Sequence, residues 1–265
     1  MTLVAQAQPT RTGTASKLLV LWQQPSTRAM VPIGVLGFDG KQYSFRYLEV
    51  AGTDPEFRPL LGFRDLEGLY TSDDLFPLFQ ERVLDPSRPD FERVIERLDL
   101  DPSRATPWEQ LVRLGGASEG DTLQVTPFPF DTSAGWQCLA LLAGIRYLAK
   151  KKVKTRHGVA EQFTAEGLEE HLQSLREGQR LEIEPEIGNT YNQDALLAVT
   201  ADGIPVGYVP DWLARVMAPR LREGTPIHAV VERLNDAGAG WHLRLLIRFV
   251  AAEPLASIEQ AINFS

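Results

Sequence analysis

Cysteine is almost absent: Cys138 is the single one in 265 residues. No intramolecular disulfide can form. The four histidines, His157, His171, His228 and His242, are isolated from one another, so no metal site is expected. Long apolar runs are missing too. The longest nearly apolar stretch, Cys138 to Ile145, is about eight residues, against the roughly 20 that a helix needs to cross a bilayer. The first residues, Met1 to Ser16, lack a basic start and an apolar centre. They read as a disordered tail rather than a secretory signal, and a cytoplasmic compartment is expected. Signature loops of nucleotide chemistry are also absent. There is no G-x-x-x-x-G-K-[ST], no His-Arg-Asp and no Asp-Phe-Gly. No persuasive carboxylate–lysine set for a metal nuclease stands out. No catalytic residues, cofactor or metal are therefore assigned, and the chain is not expected to be an enzyme.

What is present is ordinary globular material: 43% hydrophobic and 23% charged residues, enough to build real cores. Net charge is −8. A general nucleic-acid coating protein would be basic. The charge is uneven, however. Residues 1–134 hold 13 Lys+Arg against 19 Asp+Glu, and residues 135–265 hold 14 against 16. The second half also contains the one tight basic cluster, Lys150, Lys151, Lys152, Lys154 and Arg156. A local patch of this kind binds phosphate even on an acidic chain, although a solvated lysine loop has the same sequence.

Periodicity divides the chain into an N-terminal mixed strand and helix domain (17–134) and a C-terminal domain (135–265). Leu18–Trp22, Val31–Phe38 and Gln42–Leu48 read as strands, with an Asp39-Gly40 turn between the last two. Ser72–Leu84 reads as a helix with Pro77 near its start. A second helix opens after Ser87–Asp90, with Phe91, Val94, Ile95 and Leu98 on one face. Thr106-Pro107-Trp108-Glu109 is a capping box, and Gly115-Gly116 ends that helix. The boundary falls at Asp131 to Gly135. Beyond it come strands at Cys138–Leu148, Leu181–Ile187, Ala195–Thr200, Ile204–Val209, Ile227–Leu234 and Trp241–Val250. One helix is expected at Thr164–Glu177 and a shorter one near Asp211. Many short strands with one or two helices describe a small β-barrel, and the chain as a whole is α+β.

Two segments carry chemical information. Gly144-Ile145-Arg146-Tyr147 precedes the lysine cluster. Gly188 to Ala195 is a polar turn between apolar strands, followed by Ile204 to Ala214. Tyr147, Tyr191 and Tyr208 offer flat faces for unpaired bases. Arg146, Lys150, Lys151 and Lys152 offer charge to phosphates. Asn189 and Asn192 donate and accept, as sugar hydroxyls and base edges require. Each residue has a plain alternative: tyrosines at strand ends pack, and asparagines in turns serve the turn.

The combination GIRY at 144–147, NTYNQDAL at 189–196 and VGYV at 206–209 resembles the HIRAN domain family over roughly Gln137 to Val250. The resemblance implies an OB-like barrel that captures single-stranded DNA at its 3′ end. Arg146 would engage phosphate and Tyr147 would stack on a terminal base. Asn189 and Tyr191 would hold sugar or base. Asn192 stands where the family often has an aspartate that accepts from the 3′-hydroxyl. An amide accepts more weakly than a carboxylate. Tyr208 stands where the helicase relatives have a histidine, and does not titrate near neutrality. The helix-bearing stretch from Ala160 to Gly178 lengthens the spacing between the first two motifs.

Residues 19–48, with 75–85 and 115–129, resemble the N-terminal subdomain of HipA-type kinases. The kinase core is absent, so the resemblance implies fold and contacts with a protein partner, not activity. The sequence thus points to a nucleic-acid binding protein acting in DNA repair. The alternative is an antitoxin-like regulatory protein that binds other proteins and no nucleic acid.

Overall fold

The computed structural model of the protein describes residues 16–98, 100–114, 122–160 and 162–263. The expected N-terminal tail and the glycine loop at 115–120 lie outside the described residues.

The N-terminal half is a five-stranded antiparallel sheet with short helices. Its strands are β1 (Lys17–Gln23), β2 (Met30–Phe38), β3 (Tyr43–Tyr47), β4 (Tyr70–Ser72) and β5 (Leu123–Pro127), ordered β4-β3-β2-β1-β5. The run Leu18 to Trp22 is apolar at every position because both faces of β1 are covered. Leu18, Val20 and Trp22 face an aromatic core that includes Phe45, Phe63, Phe79 and Trp108. Leu19 and Leu21 face the core of the C-terminal half. Pro32 lies in β2 where the register slips between Val20 and Leu21, so the irregularity falls where an amide donor is missing.

The helices here are α1 (Glu49–Thr53), α2 (Pro77–Gln80), α3 (Phe91–Arg97) and α4 (Pro107–Leu114). The capping box forms as expected: Glu109 N–H donates to Thr106 Oγ1 at 3.2 Å, and Thr106 N–H donates to Glu109 Oε2 at 2.9 Å. The expected helix over Ser72–Leu84 shrinks to α2. Ser72 belongs to β4, and Pro77, which lacks an amide donor, starts the helix.

The chain leaves the first sheet at Pro127 and enters a second, seven-stranded antiparallel sheet at Phe130. Its strands are β6 (Phe130–Thr132), β7 (Gly135–Leu141), β10 (Arg180–Pro185), β11 (Leu196–Val199), β12 (Pro205–Tyr208), β13 (Ile227–Leu234) and β14 (Leu245–Ala251). The order is β12-β11-β10-β13-β14-β7-β6, while β8 (Val153–Thr155) and β9 (Gly158–Ala160) form a separate hairpin. Helices α5 (Ala165–Ser174), α6 (Asp211–Arg222) and α7 (Leu255–Asn263) complete this half.

Three expectations are corrected here. The barrel is not closed among the described residues: one bridge, Ala143 to Tyr208, links the region after β7 to β12. The expected strand Cys138–Leu148 ends at Leu141, and Ile145–Ala149 is a 3-10 turn, because Gly144 takes a left-handed conformation that a strand cannot continue. The expected strand Trp241–Val250 begins at Leu245, after a 3-10 turn at Trp241–Leu243. Helix α7 is an addition that the sequence reading lacks. Its Ile258 and Ile262 are buried in the shared core.

Helix α5, the insert between the motifs, is capped by Thr164, which accepts from Gly167 N–H. It is pinned by Glu169, whose carboxylate meets buried Arg244 at 2.6 and 2.9 Å. The hydrogen bond from Arg244 holds the Glu169 carboxyl below its usual range. A lowered folded pKa contributes stability that is present above the unfolded value, about 4.3, and is lost as pH falls through the folded one. Glu169→Gln is therefore expected to lower neutral-pH stability by about 3 kcal/mol, because Arg244 is left unpaired. Its unfolding free energy should fall less steeply with acid than that of the wild type. Denaturant titrations at pH 7 and pH 3 check both, and parallel pH curves would remove the ion pair from the account.

Candidate functional site

The two glycine-bearing motifs pack against each other. Ala143 and Tyr208 exchange two backbone hydrogen bonds of 2.8 Å. Gly144 has φ +59°, and a Cβ there would lie 2.9 Å from the Tyr208 ring and 3.2 Å from the Tyr147 ring. A Cβ at Gly207 would lie 3.0 Å from Ile145 and 3.1 Å from Leu142. The glycines let the GIRY turn and the VGYV strand touch, and Ile145 is buried in that contact. The turn throws Arg146 and Tyr147 outward. Tyr147 is 45% exposed, with the Arg146 guanidinium 5.6 Å and the Lys150 ammonium 5.7 Å from its ring centroid.

Tyr208 sits lower. Its ring lies against Gly144 and carries Lys151 Nζ 5.4 Å from the centroid. Its hydroxyl is buried without a well-formed hydrogen bond among the described residues. Burial pushes the phenol up to about 12. Lys151 pairs at 2.7 Å with Glu186, whose side chain is 7% exposed. Burial opposes the Lys151 charge, but the Glu186 carboxylate and the neighbouring Tyr208 oxygen outweigh it and hold the ammonium above its usual range.

Glu186 also accepts from Asn189 Nδ2 at 2.7 Å. Asn189 Oδ1 in turn accepts the amides of Tyr191 and Asn192, both at 2.9 Å. Asn192 Oδ1 accepts from Asp194 N–H at 3.0 Å, and its Nδ2 donates to Asp211 Oδ1 at 2.8 Å. Asp211 opens α6 and also accepts from Met30 N–H in the first sheet at 3.2 Å. Both asparagines therefore form the turn itself, and an aspartate at 192 would face the Asp211 carboxylate. Their turn leaves Tyr191 fully exposed. Between this turn and the lysine segment lies a cleft of about 260 Å³, lined by Lys151, Lys152, Lys154, Glu186, Asn189 and Tyr191 among others.

Arg146, Tyr147, Lys150, Lys151 and Tyr208 thus form one connected group, joined through Glu186 and the cleft to Lys152, Asn189 and Tyr191. Asn192 faces away toward α6. The sequence alone gives Glu186 and Ala143 no special place, and presents Asp211 only as a helix start. Glu186 lies within a strand candidate, Leu181–Ile187, with no local signal of its special position.

A second charged cluster corrects the reading of His157 as isolated. His157 Nε2 lies 2.8 Å from Glu184 Oε1, and Arg156 Nε lies 2.7 Å from the same oxygen, with Glu182 also paired to Arg156. Glu184 is 1% exposed. Donor atoms of His157, Glu182 and Glu184 lie within 4.8 Å of one another, as a metal ion would need. Arg156 already supplies positive charge to both carboxylates, so the cluster reads as the tie between the β8–β9 hairpin and β10. Cys138 is fully buried, and burial pushes its thiol up to about 12, which leaves no thiolate for nucleophilic chemistry at neutral pH.

No protein-family model matches the chain, and no curated protein matches it. Two solved structures share part of it. One is a Lactobacillus plantarum protein from a structural genomics consortium, 19% identical, with a TM-score of 0.32 over 46% of this chain and 92% of that one. The other is the HIRAN domain of human HLTF, 14% identical, with a TM-score of 0.31 over 48% of this chain and 82% of that one. At such scores neither likeness defines what the chain binds. A likeness of the N-terminal half to HipA-type kinases is not among these findings. No helix among the described residues is long and apolar enough to cross a membrane.

Geometry separates lysines that the sequence runs together. Lys150 lies exposed beside an exposed ring, whereas Lys151 neutralises a nearly buried carboxylate. Lys151→Ala is expected to destabilise the protein by about 1–3 kcal/mol, the cost of leaving Glu186 short of a partner. Lys150→Ala is expected to leave the melting temperature unchanged within about 1 °C, since a loss under about 0.5 kcal/mol moves Tm little in a chain of this size. Equal melting curves for the two variants would show that the Glu186 pair carries no stability.

Proposed function

We propose that this chain binds single-stranded nucleic acid, with DNA as the ligand, through the surface formed by the GIRY turn, the lysine segment and the Asn189–Tyr191 turn. One observation carries the reading: Tyr147 presents a half-exposed ring with two cations within 6 Å of its centroid, on the same connected surface as the fully exposed Tyr191. A ring flanked by cations suits a base and its adjoining phosphates together, and duplex bases are not available for such stacking. The sequence motifs support the same reading through their resemblance to the HIRAN family, which further implies a preference for 3′ ends. The chain acts by binding and not by catalysis.

The N-terminal half is proposed to contact a protein partner. Its candidate contact residues are Leu61 and Leu69, 86% and 67% exposed in the segment before β4.

Fluorescence anisotropy with a labelled oligo-dT strand separates the readings. Tyr147→Ala and Tyr191→Ala are each expected to weaken binding roughly tenfold, from a stacking contribution of about 1–3 kcal/mol per base. Melting temperatures should hold, because both rings are exposed. Wild-type protein that ignores single strands at low salt leaves the protein-binding reading in place. A 3′-phosphate is expected to weaken binding where a 5′-phosphate does not. Equal affinity for the two would remove the 3′-end preference and keep strand binding.

A further inference from the structure

Glu186 is the anomaly of the proposed surface. A nearly buried carboxylate lines the same cleft as Lys151, Lys152 and Lys154, where its charge opposes any phosphate that enters. It is not a bystander. One oxygen holds Lys151 at 2.7 Å and the other holds Asn189 at 2.7 Å, so the two walls of the cleft are tied through one side chain. Lys151 is thereby drawn over the Tyr208 ring, while its side chain remains 45% exposed and open to an incoming phosphate.

We propose that Glu186 is an electrostatic gate for the strand-binding surface, an inference that rests on the reading above. In the strand-free protein Glu186 cancels the charge of Lys151 and keeps it over Tyr208. An incoming phosphodiester must take Lys151 from Glu186, and in doing so it uncovers the Tyr208 face for the neighbouring unpaired base. Duplex phosphates meet the same competition but bring no base to the ring. The carboxylate therefore lowers affinity for polyanions in general and leaves the advantage to single strands. Lys151, which the sequence presents as one phosphate contact among several, is the residue whose charge is conditional.

The pair is tested as a cycle with the full chain and a labelled oligo-dT strand across a salt series. Glu186→Gln keeps the shape and an acceptor for Asn189 and removes the charge. It is expected to steepen the log–log salt slope by about 0.7, which is about fivefold tighter binding at 0.1 M salt for one added counterion. Lys151→Met leaves a bare carboxylate and is expected to weaken binding. The double variant, with neither charge, is expected to return to wild-type affinity, since the cycle measures what each residue does through the other. Melting curves of all four proteins show that each is folded. If Glu186→Gln binds like the wild type, or the double variant binds only as weakly as Lys151→Met, the gate is overturned while strand binding stands. If none of the four binds the strand, the strand-binding reading falls and the gate with it.

Discussion

The contact between Ala143–Gly144 and Gly207–Tyr208 is the constraint on which the rest of the site depends. Two backbone hydrogen bonds hold it, and two glycines make it short enough. A side chain at Gly144 would collide with both tyrosines, and one at Gly207 would press on Ile145 and Leu142. With the contact in place, the 3-10 turn must follow, Ile145 must point inward, and Arg146 and Tyr147 must point outward. Lys151 then falls over Tyr208 and within reach of Glu186. Much of what looks like a ligand motif in the sequence is therefore packing, while Arg146, Tyr147 and Tyr191 are among the residues it presents to solvent.

The two halves of the chain share a core. Leu19 and Leu21 on β1, with Val35 and Leu48, belong to the same buried cluster as Trp212, Met217, Ile258 and Ile262. Interiors of this density transmit displacement rather than absorb it. The link reaches the site directly: Met30 of the first sheet and Asn192 of the second motif both bond to Asp211 at the start of α6. Each half thus holds a part of the frame that positions the Asn189–Tyr191 turn.

Charge at the surface is set by neighbours rather than by totals. The chain is acidic, and its second half is nearly balanced. Within the basic cluster, however, Arg156 is committed to Glu184 and Glu182, and Lys151 to Glu186. Lys150 stands beside an open ring and Lys154 lies at the cleft. A run of five cations in sequence therefore includes at least two structural ties, and is not one uniform charged face.

The sequence by itself determined whatever depends on near neighbours along the chain. The apolar run of β1, the Thr106–Glu109 capping box, the Thr164 cap of α5 and the Asx turns at Asn189 and Asn192 are local, because backbone geometry and hydrogen bonds within a few residues decide them. The mixed α+β character followed from the same periodicities. Only the tertiary structure decided that, among the described residues, one bridge links the segment after β7 to β12 without closing a barrel, that α2 is a single turn, and that His157 has a buried carboxylate for a partner. It also decided which charges are spent and which are offered. Glu186 lies 35 residues beyond Lys151 and shows nothing unusual in sequence. Its role arises because β10 ends, the β8–β9 hairpin folds back and the Asn189 turn closes at one place, and long-range electrostatics act only between groups that the fold has already brought together.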